Sequence, residues 1–112
     1  MTDATTARPV HLDSAADLDA LLDERDLLLV EFYTEGCGIC ASMEPVLGNV
    51  ARAREDLAVA LVNPRDDPPL LDRFAVQSVP LLVLFRDGEP VARLADGFVG
   101  ADDLLAFVAD HA

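Results

Sequence analysis

Lysine and tryptophan are both missing from this 112-residue chain, and cysteine occurs only twice. Without lysine, all side-chain cations apart from histidine are eight arginines. They face 15 aspartates and 6 glutamates, for a formal net charge of −13. Such a balance argues against nucleic acid as a partner, because phosphate contacts need clustered cations. No segment approaches the roughly 18–20 continuous apolar residues of a membrane span, so no membrane association is expected. Residues Met1 to Pro9 lack the charged-then-apolar pattern of a secretory signal. The expectation is a soluble, cytoplasmic protein. No dinucleotide fingerprint is present. Zinc wants four ligands, and one cysteine pair with the isolated His11 and His111 does not supply an obvious set. Both histidines read as ordinary surface residues.

What is there suffices for one packed domain. Hydrophobic residues make up 52% of the chain, and the length fits a single unit. We expect a flexible N-terminus over residues 1–7 and a domain over residues 8–112. The acidic surplus has two readings. It is a solvated surface that keeps the protein dispersed, or it is an adaptation to molar salt. At ~1 M salt the Debye length is about 3 Å, and self-repulsion is screened. The aspartate-rich, lysine-free composition resembles cytoplasmic proteins of extreme halophiles, and we favour the second reading.

Along the chain, Arg8 to Leu12 reads as a short edge strand. Asp13 or Ser14 caps a helix carrying Ala15, Leu18, Leu21 and Leu22 at helical spacing, with Ser14 and Asp17 set out like a short-armed capping box. Leu27 to Tyr33 is an apolar run suited to a strand buried on both faces. Cys37 to about Glu55 reads as the longest helix, with Met43, Val46, Leu47 and Val50 as its apolar stripe and Pro45 inside it. Leu57 to Val62 is a third strand, ended by Asn63-Pro64. Pro68-Pro69 begins a short helix through Phe74. Leu81 to Phe85 and Pro90 to Leu94 form a hairpin about Asp87-Gly88. A last amphipathic helix after Gly97 carries Leu104, Leu105, Phe107 and Val108. The order βαβαβαββα implies an α/β fold: a central mixed sheet of four to five strands flanked by about four helices.

Cys37-Gly38-Ile39-Cys40 stands where a buried strand meets a helix start. Residues three apart on a helix are neighbours, so the two thiols can close and reopen as a disulfide. A bridge over so small a loop constrains little of the unfolded chain, which makes its use chemical. Cys37 lies at the cap, near unpaired N–H groups and the positive end of the helix dipole. That setting favours thiolate. Cys40, one turn in, is less exposed. Three uses remain compatible with the pair: catalytic exchange, a redox-sensing binding module without turnover, and a metal or iron–sulfur carrier formed by two copies of the chain.

Glu31 to Cys40, followed by Met43-Glu44-Pro45, resembles the active-site segment of thioredoxins, and Val76 to Gly88 resembles their second signature. The element order agrees from about residue 8 onward. The resemblance implies a thioredoxin fold and a protein thiol–disulfide oxidoreductase. It implies that Cys37 is the nucleophile, that Cys40 resolves the mixed disulfide, and that Glu31 is the buried acid behind Cys40. It also implies that Pro80 is a cis-proline, that Val79 offers its backbone to an extended substrate, and that Gly97 lines the same groove. Gly36 and Ile39 depart from the tryptophan and proline usual there, and with Gly38 they border the substrate. No lysine matches the one that often lies near the buried acid; Leu61 falls at or near that place. The implied partners are disulfide-containing client proteins and a separate electron donor resembling thioredoxin reductase. No bound cofactor is needed beyond the reversible Cys37–Cys40 disulfide, and a monomer is expected.

Overall fold

The computed structural model describes residues 8–112; the N-terminal segment 1–7 discussed above lies outside the described residues. The elements are β1 (Val10–Leu12), α1 (Ala15–Glu24), β2 (Leu27–Phe32), α2 (Gly38–Ala53), β3 (Ala58–Val62), α3 (Pro69–Arg73), β4 (Leu81–Arg86), β5 (Glu89–Leu94) and α4 (Ala101–His111). The five strands form one mixed sheet in the order β1-β3-β2-β4-β5. β1, β3 and β2 run parallel, while β4 is antiparallel to both β2 and β5.

Hydropathy explains this order. β2 and β3 are apolar at nearly every position and are buried along their whole length. A strand covered on both faces needs no polar alternation. β5 is mostly exposed and contains Pro90, which an edge strand tolerates because its outer side has no ladder bond to lose. Asp87 and Gly88 both take positive φ, 53° and 83°, so the β4–β5 turn follows the twist of its strands.

Alternation along β2 divides the core. Leu27 and Leu29 belong to the layer beneath α2 and α4, with Met43, Leu47, Val50, Leu104 and Val108. Leu28, Val30 and Phe32 belong to the opposite layer, with Leu18, Leu70 and Phe85. By the same parity Glu31 faces the layer of Leu27 and Leu29.

Several boundaries differ from the sequence expectation. β1 begins at Val10, not Arg8. Ser14 caps α1 and accepts from the Asp17 N–H at 3.2 Å, but the Asp17 carboxylate takes the Asp13 N–H instead of that of Ser14. Asn63-Pro64 does more than end β3. It starts a 3-10 turn over Pro64–Asp66, in which the Asn63 side chain accepts from the Arg65 N–H. The last helix is capped by Gly100, and Gly97 lies in the loop before it.

Candidate active site

Strand β2 ends at Phe32, and the chain crosses a five-residue-long region, 33 to 37, before α2 begins. Cys37 is the N-cap of α2; its sulfur accepts the Cys40 N–H at 3.1 Å. That contact occupies one of the backbone donors that every helix start leaves without a partner. Cys37 and Cys40 are joined as a disulfide, with their Cα atoms 5.2 Å apart. The two sulfurs are not equivalent. Cys37 is half-buried, whereas Cys40 is only 3% exposed.

Glu31 is the penultimate residue of β2, opposite Leu61 on β3 and Leu82 on β4. It is fully buried, and among the described residues neither carboxyl oxygen has a hydrogen-bond partner. Burial without a donor disfavours the carboxylate. Desolvation first, and then the negative charge of Glu44, push its pKa up to about 8 from 4.5. Glu31, Cys37 and Cys40 line a common cavity of about 170 Å³, together with Tyr33, Glu44 and Leu61. The arrangement can take a proton from Cys40 or return one to it.

The remaining candidate positions gather at the same end of the sheet. Pro80 is buried and immediately precedes β4, whose Leu81 pairs with Phe32 at the end of β2. The Val79–Pro80 peptide bond is cis, and Val79 is half-buried. Gly97 follows β5, whose Leu94 pairs with Leu82, and it has φ 81°. Its loop is fastened to α2 where the Val99 N–H meets Met43 Sδ at 3.4 Å. Gly36 is exposed with φ 81°, a conformation that explains a glycine there. Gly38 and Ile39 are exposed on the first turn of α2, Ile39 at 49%.

Sequence reasoning did not single out Tyr33 or Glu44 as part of this site. Tyr33 follows Glu31 by two residues and shares its strand parity, which was a usable signal. Glu44 falls on the polar side of α2, where helical periodicity reads as solvent. His11 and His111 are exposed. His11 meets the Tyr33 ring edge-on, with centroids 6.0 Å apart. Among the described residues, no group of three or more His, Cys, Asp or Glu is placed to hold a metal ion. A larger cleft, about 370 Å³, lies between β5 and the loop after α3. It holds no thiol, and its Arg93 is spent on the Phe74 and Ala75 carbonyls.

The sequence model of the thioredoxin family matches residues 9–110. Thioredoxin from Mycobacterium tuberculosis is 34% identical over 111 residues, covering 98% of this chain and 95% of that protein. A mutant thioredoxin from Halobacterium salinarum superimposes with a TM-score of 0.89 at 31% identity, covering 98% of this chain and 96% of the other. A bifunctional thioredoxin reductase/thioredoxin of Mycobacterium leprae is 33% identical over 112 residues, which span 98% of this chain and 24% of that longer protein.

Proposed function

The chain belongs to the thioredoxin family, and from that premise we propose how its residues divide the work of thiol–disulfide exchange. The reaction class is that of a protein-disulfide reductase, with the Cys37–Cys40 pair as its redox centre. Cys37 is the attacking thiolate. The observation that carries this is the asymmetry of the pair: Cys37 is the half-exposed helix cap, and Cys40 lies buried one turn in.

In the reduced protein, Cys37 Sγ attacks one sulfur of a client disulfide, and the other client sulfur leaves as thiolate. Cys40 then gives its proton to the Glu31 carboxylate, and its Sγ attacks Cys37 Sγ. The Cys37–Cys40 bond forms, the bond from Cys37 to the client breaks, and the second client sulfur departs. Two electrons pass from the pair to the client. The client thiolates take protons from solvent, and Glu31 returns its own to solvent.

An extended client segment docks along the backbone at Val79 and Pro80, as an added strand would. Gly36, Gly38, Ile39 and Gly97 form the rim of that groove. Gly36 and Gly97 bring no side chain, while Ile39 offers an exposed apolar contact. The clients are disulfide-containing proteins. The electrons come from a separate reductase, a reading supported by the relative named for both activities in one chain. No bound cofactor takes part in the exchange itself. We assign the protein to the cytoplasm, where a reductase keeps such a pair reduced. We also assign it as a monomer. Val10, Ile39, Val91 and Phe98, the exposed large apolar residues among those described, come from four separate segments of the chain. The acidic surface suits molar salt.

The division of roles is tested by trapping. Cys40→Ser incubated with an oxidised client should accumulate a one-to-one mixed disulfide, visible by mass and released by dithiothreitol. Cys37→Ser should form none. Trapping by Cys37→Ser alone would reverse the assignment.

A further inference from the structure

Glu44 projects from an exposed position on α2 and borders two cavities at once. The first is the cavity of about 170 Å³ that also holds Glu31, Cys37 and Cys40. The second is about 330 Å³ and is lined by Arg8, Pro9, His11, Arg52 and Leu61 besides Glu44 itself. Leu61 is the other shared wall, and it is the register partner of Glu31. Leu61 and Glu44 therefore line both the cavity that holds Glu31 and the second cavity.

The groups facing Glu31 are few. β3 presents Leu61 and β4 presents Leu82, both apolar. The loop after β2 presents Tyr33 and Glu35, and α2 presents the two cysteines and Glu44. Among the described residues, no cation borders this cavity. The second cavity differs: Arg8, His11 and Arg52 line it together with Glu44, and Arg52 donates to the Asn49 side chain. Arg52 is two turns further along α2, and its guanidinium runs back over Gly48, 3.4 Å from where a Cβ at that residue would stand. In a chain with net charge −13, two of eight arginines line the second cavity, which Glu44 also borders.

We infer that Glu44 is a positioning residue for the exchange reaction: its carboxylate, held between the cysteine cavity and the arginine-lined cavity, governs when Glu31 is able to take the Cys40 proton. The inference rests on the role given to Glu31 above. A negative charge at the cavity wall disfavours a second one on the buried Glu31. Removing it lets Glu31 ionise, and so accept the thiol proton, at lower pH. The carboxylate of Glu44 forms and breaks no bond to the client or the cysteines.

The test follows the ¹³C shift of the Glu31 side-chain carboxyl against pH in the full-length oxidised protein, in which no thiol titrates. Wild type is compared with Glu44→Gln and Glu44→Lys. Position 44 is exposed, so both variants should fold. The expected midpoint falls by about half a pH unit in Glu44→Gln and by about one unit in Glu44→Lys, a roughly threefold and tenfold change in the Glu31 proton equilibrium. The rate of mixed-disulfide resolution should shift along the pH axis by the same amounts. Coincident midpoints in all three proteins overturn the inference. Glu31→Gln separates the two levels. If its resolution rate keeps the wild-type pH profile, the role of Glu31 falls and this inference with it. If Glu31→Gln flattens the profile while Glu44→Gln and wild type coincide, only Glu44 is misassigned.

Discussion

Glu31 carries the largest electrostatic cost in the sheet. The unfolded chain holds it near its ordinary value of 4.5, and the fold raises it to about 8. Between those values the folded state binds one more proton than the unfolded state. The stability tied to the protonated form is complete below about pH 4.5 and is lost as pH rises through about 8. At about 1.4 kcal/mol per pH unit, the loss is roughly 4–5 kcal/mol. Glu31→Gln keeps the shape and removes the titration. Its unfolding free energy should therefore gain several kcal/mol on wild type between pH 5 and pH 9, measured by urea denaturation in molar potassium chloride. Parallel stability curves for the two proteins would contradict the burial argument. That cost falls on a residue that lines the same cavity as Cys40, where the proposed proton transfer would use it.

Helix α2 presents the cysteines, and its first turn is held by their disulfide and the Cys37 cap but leaves Ile39 exposed. Among the described residues, the Ile39 N–H has no acceptor outside the helix ladder, and Ile39 is 49% exposed. Proline is tolerated in a first turn because the missing N–H is unpaired there in any case. Ile39→Pro should raise unfolding free energy by ~0.5 kcal/mol through the unfolded chain. A loss of more than 1 kcal/mol in thermal or urea unfolding would mean that the Ile39 side chain packs more than its exposure suggests. Much at this scale was legible beforehand. The near-continuous apolar runs of β2 and β4, the Asp87-Gly88 turn, and the cysteines at a helix cap all follow from local chemistry. The 3-10 turn at Pro64–Asp66 had a signal, since Asn63-Pro64 is a cap followed by proline at the first helical position. Glu44 had none. Periodicity sorts α2 into a buried stripe and a polar side, and a cavity shared across that boundary exists only once β3 is packed beneath it.

For the whole molecule, charge dominates. Twenty-one acidic residues oppose eight arginines, and among the described residues the ion pairs are Arg54–Asp56 and Arg73–Asp19, both partly exposed. Surface pairs of this kind stabilise little. Repulsion among the unpaired carboxylates is left to the solvent to screen, and molar salt does so within about 3 Å. The melting temperature should rise by roughly 10 °C from dilute buffer to molar potassium chloride, equivalent to about 2 kcal/mol for a domain of this size. Equal melting temperatures would remove the halophilic reading and leave the fold and exchange chemistry untouched. The central claim is that the whole fold serves one exchangeable pair with Cys37 as its nucleophile. It is tested most directly by the reduction of an insulin-like protein disulfide with dithiothreitol in molar potassium chloride, using substoichiometric protein and comparing wild type with Cys37→Ser. The account predicts many turnovers for wild type and no rate above background for the variant. A folded wild type that gives no acceleration, or a Cys37→Ser protein that keeps it, would contradict the account.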